Sequence, residues 1–180
     1  MNKFLAFSSC MLISSFAYSA NWIDRSGKEV PDSENMKSSK DFIVQLILTN
    51  NENELLSRWQ TPSEAVSITT SETVERDSPI SAFIVFGGCR VDPKGNCNLV
   101  ATFKIFQPDG KVYANLPEME VWQNKPVPPN RAIQLSVAYL KTVIEKGEQL
   151  GKYKIESVVT DKNSGQSVTL ESTFNAIEKK

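Results

Sequence analysis

Between residues 80 and 177 the chain is a succession of strand-length apolar segments separated by turn residues, a pattern that points to an antiparallel β fold. Residues 80–86 are almost wholly apolar. Leu99, Ala101, Phe103 and Ile105 alternate with Val100, Thr102 and Lys104, which predicts a half-buried strand. Gln107-Pro108-Asp109-Gly110 then turns the chain, with Pro suited to the second turn position and Gly to a left-handed one, so residues 111–114 should return antiparallel. Residues 119–123 read as a short strand. The prolines that follow, Pro126, Pro128 and Pro129, demand an extended segment that is no central strand. Three further apolar faces come next: Ile133, Leu135, Val137 and Tyr139; Tyr153, Ile155, Ser157 and Val159; Val168, Leu170, Ser172 and Phe174. Asp161-Lys162-Asn163-Ser164-Gly165-Gln166 joins the last two as a hairpin loop.

Upstream, residues 42–49 are nearly continuously apolar, which predicts a strand buried on both faces. Asn51 or Asn53 is placed to cap a short helix through Trp59, with Leu55 and Trp59 on one face and Pro62 as its stop. Trp59 is expected to cover an open end of the β structure. Residues 65–70 read as a weak strand, and residues 21–40 as a polar arm, extended or poorly ordered, with Trp22 as a candidate pin.

The first residues form a different kind of segment. Lys3 precedes an apolar run over residues 4–17, followed by Ala17-Tyr18-Ser19-Ala20 and then by polar Asn21. A basic start, an apolar stretch of about 7–15 residues and small residues near a cleavage point make a secretory signal peptide. Spanning a bilayer would take about 20 apolar residues. The expected mature start lies between residues 18 and 21. The alternatives are an uncleaved anchor, or a lipoprotein acylated on Cys10, although Phe7-Ser8-Ser9-Cys10 matches a lipobox poorly. The expected organisation is a signal peptide over 1–20, a polar arm over 21–40 and one domain over 41–180. The signal implies export, to the periplasm or the exterior.

Twenty basic and 21 acidic residues nearly cancel. Neither nucleic acid nor an anionic membrane is therefore expected as a partner, since both need a basic patch. Cys89 and Cys97 flank Asp92-Pro93-Lys94-Gly95-Asn96, which is strong turn chemistry. In an oxidising compartment such a pair bonds, with a redox or metal pair as the alternative. Closing so short a loop should contribute roughly 2–3 kcal/mol.

Leu150-Gly151-Lys152-Tyr153-Lys154-Ile155 resembles the corner before the penultimate strand of immunoglobulin-like sandwiches, where a Tyr hydroxyl bonds back to the main chain a few residues upstream. The resemblance covers residues 80–177. It implies a mainly all-β, immunoglobulin-like antiparallel β-sandwich with an N-terminal extension and one short helix, in which Gly151 and Tyr153 are structural. The pattern Asp41-Phe42, Leu48-Thr49, Trp59, Gly88-Cys89, Gly95-Asn96-Cys97, Pro108-Asp109-Gly110 and Gly151-Lys152-Tyr153 also resembles uncharacterised exported proteins of Gram-negative bacteria. That group carries no established activity.

The chain has no histidine, which removes Ser-His-Asp and Cys-His arrangements, histidine-ligated zinc and histidine acid–base catalysis. It has no phosphate-binding glycine loop or dinucleotide fingerprint either. Glu118 and Glu120 would share a strand face as candidate carboxylates for glycoside hydrolysis, or form a solvated edge. Asp161-Lys162-Asn163-Ser164-Gly165 begins like a calcium loop, but the twelfth position is Ser172 where a Glu is needed, so a plain hairpin turn is favoured. No metal site, cofactor or catalytic residue is expected. Trp122 with Pro126, Pro128 and Pro129 is the candidate binding surface, against a core Trp followed by a crossover between sheets. The expected function is an exported, non-catalytic binding protein that contacts another protein through strand edges or loops. The alternatives are an inhibitor or immunity protein against a toxin or hydrolase, an envelope- or carbohydrate-binding protein, or a minimal carboxylate hydrolase.

Overall fold

The computed structural model describes residues 22–23, 26–60, 69–129 and 132–179. The expected signal peptide lies outside these, as does most of the weak strand expected at 65–70; Thr69 and Thr70 are not in a strand. In chain order the elements are β1 (Trp22–Ile23), β2 (Glu29–Val30), β3 (Met36–Ser39), β4 (Phe42–Thr49), α1 (Glu52–Trp59), β5 (Thr73–Glu75), β6 (Pro79–Gly87), β7 (Asn96–Phe106), β8 (Val112–Pro126), β9 (Gln134–Leu135), β10 (Leu140–Val143), β11 (Gly151–Asp161) and β12 (Gln166–Ile177). One sheet has the order β10-β6-β4-β3, with β9 also on β6, and the other β5-β12-β11-β7-β8; β1 and β2 form a small hairpin. Among these strands only β5 on β12 is parallel.

Period-two alternation places the core between the sheets. Val44, Leu46, Ile84 and Phe86 from the first sheet meet Leu99, Phe103, Ile155, Leu170 and Phe174 from the second, all essentially without solvent exposure. Burying each such side chain contributes roughly 1.5–3 kcal/mol. The continuous apolarity of β4 has a second cause on its other face. There Ile47, with Phe83 and Val85 of β6, packs under Leu55 of α1 and Leu135. Trp22, Trp59 and Tyr139 complete this outer layer. Trp59 thus covers the outer face of the first sheet rather than an end of the sandwich. A short helix between β4 and β5 cannot reach the end without abandoning its buried Leu55.

Asn51 caps α1 by accepting from the Glu54 N–H, and its amide donates to the Glu54 carboxylate at 2.7 Å. Glu52 accepts from Ser81 and Lys141, and these bonds, Lys141 first, hold its carboxyl below the usual range.

Three further expectations need correction. The polar arm contributes an edge strand: β3 pairs with β4 from Met36↔Gln45 to Ser39↔Phe42, and Trp22 donates its indole N–H to Lys37 at 3.3 Å. The alternation over 133–139 is not one strand. Only Gln134 and Leu135 pair, while Ile133 and Val137 are 46% and 49% exposed, because this segment carries the chain from one sheet to the other. Residues 112–126 form one long bulged strand rather than two short ones. Pro117 is tolerated within it because β8 is the sheet edge, where a missing N–H breaks no ladder.

The second sheet, with β12-β11-β7 in series and β8 beyond, follows the order of the G, F, C and C′ strands of an immunoglobulin-like sandwich, opposite a sheet in which β6 takes the place of B. The fold is a mainly β, immunoglobulin-like sandwich with an N-terminal extension and one helix among the described residues.

Candidate functional site

Strand direction gathers several loops at one end of the sandwich. β6 leaves the sheet at Gly87 and β7 enters at Asn96, which pairs with Pro126 at the exit of β8; Asp161 at the end of β11 pairs with Leu99 and Gln166. The turn between β3 and β4 joins them, since Ile43 pairs with Gly87. Loop 88–95, the segment after β8 and loop 162–165 therefore share one tip.

Loop 88–95 is fixed from three sides. Cys89 and Cys97 are disulfide-bonded across a Cα–Cα distance of 5.8 Å, and Cys97 is fully buried. Asp92 organises the turn: its Oδ1 accepts from the N–H groups of Lys94 and Asn96, each at 2.8 Å, and its carbonyl accepts from Gly95. At the loop's start Gly88 has φ +73°, and an added Cβ would lie 1.6 Å from the Asp41 carbonyl oxygen. Only glycine allows this approach of two backbones.

The third fixture is Asp161, a carboxylate only 1% exposed. Its Oδ2 accepts from the Arg90 N–H at 2.8 Å and the Ser164 hydroxyl at 2.9 Å, and its Oδ1 accepts from the Asn163 N–H at 3.0 Å. The Asn163 amide donates to the carbonyls of Arg90 and Asn96, at 2.9 and 3.0 Å. A buried carboxylate surrounded by donors is compensated as an anion. The residues that open like a calcium loop thus clamp the neighbouring loop, and no cluster of metal-ligand side chains occurs among the described residues. Sequence spacing shows a turn at Asp161; its reach to Arg90 is a tertiary contact with no local signal.

Trp122 is half-buried. Its ring packs on Phe86 with centroids 5.8 Å apart, and its indole donates to the Pro126 carbonyl at 2.9 Å. Pro128 is buried, Pro126 and Pro129 are exposed, and the Val127 N–H reaches the Gly95 carbonyl at 3.3 Å. Trp122 thus anchors the crossover beside the disulfide loop. This tip presents Val91, Val127 and Ile133 to solvent, each more than 40% exposed, with Arg90 and Lys94 and, from the β3–β4 turn, Asp41.

Gly151 and Tyr153 lie at the opposite end. The Tyr153 hydroxyl donates to the Gln149 carbonyl at 2.8 Å, and its buried ring stacks on Phe174 at 5.3 Å. Gly151 has φ +123° and rests against Pro108. Among the carboxylates considered for hydrolysis, Glu118 pairs with Lys162 at 2.5 Å and Glu120 with Lys125 at 3.2 Å.

No family model matches the chain, and no curated protein matches it. Solved structures are similar at a low level. A family 123 glycoside hydrolase from Clostridium perfringens is 11% identical with a TM-score of 0.44, over 76% of this chain and 27% of the hydrolase, so this chain spans about a quarter of that protein's length. A Niemann-Pick type C2 protein from Japanese carpenter ant is 14% identical with a TM-score of 0.37, over 75% of this chain and 89% of that one. The CARDB domain of a Pyrococcus furiosus protein is 8% identical with a TM-score of 0.36, over 74% and 87%. At these levels the sandwich rests on the chain's own strand order and the hydrogen bonds of its corner.

Proposed function

We propose that the protein is exported and works as a non-catalytic binding protein that grips another protein with the loop tip built on Cys89–Cys97. The observation that carries this reading is the fixed loop: a disulfide and the Asp161–Asn163 clamp lie directly beneath exposed Val91, Arg90 and Lys94. A loop already held in one shape loses little entropy on binding. A disulfide also belongs to an oxidising compartment, in keeping with the signal-like start. No described helix is long and apolar enough to cross a membrane.

Loops suit this role better than strand edges. The Ser38 N–H on edge strand β3 is capped by Asp32 at 2.9 Å, and β8 is interrupted by bulges and Pro117 and partly covered by Val137 and Ala138. The carbohydrate reading has less support, since Tyr139 stacks on Phe83 at 4.3 Å and Trp22 and Trp59 pack over the apolar outer layer. Lysine pairing of Glu118 and Glu120 disfavours the hydrolase reading. An inhibitor or immunity protein is the concrete form that a rigid loop tip fits best.

The test is site-directed photocrosslinking in the secreting cell's envelope fraction. A crosslinker at Val91 or Val127 should trap one reproducible partner, and one at Val112, exposed at the opposite end, should not. Equal adducts from all three positions, or none from any, would remove the assignment to the tip.

A further inference from the structure

Away from the tip, β12 is left partly uncovered among the described residues. Along its free edge the Glu171 N–H donates to the Glu34 carbonyl at 2.8 Å, and the Asn175 N–H donates to the Glu72 carbonyl at 2.7 Å. Strand alternation turns every second N–H the same way, so the Thr173 N–H and C=O face outward between these two bonds. Among the described residues the neighbouring chain turns aside: β5 pairs with β12 at Asn175, Ala176 and Ile177, and Ser71 donates its N–H to Leu48 of β4 instead. The result is a cleft of about 510 Å³ floored by Leu48 and Phe174. Ligand sites usually measure roughly 300–1,000 Å³.

Glu34, Glu72 and Glu171 line the cleft, with Lys152 the one lining cation among the described residues. Lys154 pairs with Glu171 at 3.2 Å and Lys37 is engaged by the Thr169 carbonyl farther along the edge, which leaves Glu34 and Glu72 as the acids at the open stretch. Glu34 and Glu72 are exposed and stand at opposite ends of the uncovered stretch. We infer that this cleft binds a short, extended, lysine- or arginine-bearing peptide segment. Its main chain would pair with Thr173 as an added strand, and its cationic side chains would meet Glu34 and Glu72. The occupant would satisfy one strand residue's hydrogen-bonding groups and use the negative charge, which an uncharged sugar or an acidic peptide would not do.

The test uses the full mature chain labelled with nitrogen-15. In the free protein the Thr173 amide should exchange with solvent at least tenfold faster than those of Glu171 and Asn175. Titration with the blocked tetrapeptide acetyl-Val-Lys-Thr-Lys-amide should shift the Thr173 resonance, and the corresponding glutamate peptide should not. The double variant Glu34→Gln, Glu72→Gln should weaken the lysine peptide about tenfold, the effect of two exposed ion pairs in the upper half of their range. Protection of Thr173 in the free protein would overturn the inference by showing that the chain itself fills the edge. Equal binding of both peptides, or of neither, would overturn it as well. None of these outcomes bears on crosslinking at Val91.

Discussion

The two ends of the sandwich are held by different chemistry. At the corner end an aromatic residue does most of the fixing: Tyr153 is buried to its ring edge, stacked on Phe174 and met edge-on by Tyr113, and its hydroxyl holds Gln149. Arg76 adds bonds to the carbonyls of Glu145 and Glu148. At the loop end Trp122 and buried Pro128 seat the segment after β8, but loops 88–95 and 162–165 are held by other means. Backbone groups are clamped by Asp161, Asn163 and Asp92 and by one disulfide. A loop fixed through its backbone leaves its side chains free of any holding role, whereas at the corner end the Tyr153 side chain itself is the fixture, although Val112 and Leu150 beside it are exposed. Val91 can therefore stand exposed on loop 88–95 without loosening it.

The sharpest way to break the loop end is Gly88→Ala. A methyl 1.6 Å from the Asp41 oxygen cannot be accommodated without moving β4 or the loop, and φ +73° is itself unfavourable for alanine. The expected loss is on the order of 4 kcal/mol, read as a fall in the urea midpoint or as failure to fold. Asp161→Ala should follow at about 3 kcal/mol, because three donors lose a charged, buried acceptor. Replacing both Cys89 and Cys97 by Ser should cost about 2–3 kcal/mol. If the clamp and the disulfide hold the same loop, adding Asp161→Ala to the Ser pair should cost less than the sum, since the loop is already loosened. Strict additivity in chemical denaturation would show that they act on separate parts.

At the corner end Tyr153→Phe should cost about 1 kcal/mol, the usual net value of one hydrogen bond, because the ring packing is kept. A loss above 3 kcal/mol would mean that the hydroxyl, not the ring, organises this end. The smallest effect is a pH dependence. Burial, with the Glu148 carboxylate, pushes Tyr113 up to about 12 from its ordinary 10. A raised acid favours its protonated form in the fold, so this stability is complete below pH 10 and is lost between pH 10 and 12. Tyr113→Phe should make the alkaline melting curve shallower in that window, and an unchanged slope would place the titrating group elsewhere.

Much of this contrast is legible in the sequence where the signal is local. Pro108-Asp109-Gly110 shows its turn, Asn51 and Asn53 a helix cap that the structure assigns to Asn51, and the unbroken apolarity of β4 its two buried faces. Met36 to Ser39 gives no such sign, because a polar edge strand lacks alternation and is defined by its partner Gln45 to Phe42. Ile133 and Val137 mislead in the other direction: their spacing imitates a strand, but the chain is crossing between sheets and exposes both. Asp161 marks the limit most clearly. Its identity suggests a turn, and only the fold brings Arg90, 71 residues away, to its carboxylate.

The clamp's choice of partners has an evolutionary consequence. Asp161 and Asn163 bond the main chain of Arg90 and Asn96, atoms that every non-proline residue carries. The side chains at 90, 91, 93 and 94 can therefore drift, or be exchanged deliberately, without unmooring the loop that displays them. Such a tip can change the surface it presents by single substitutions while the sandwich beneath it stays the same.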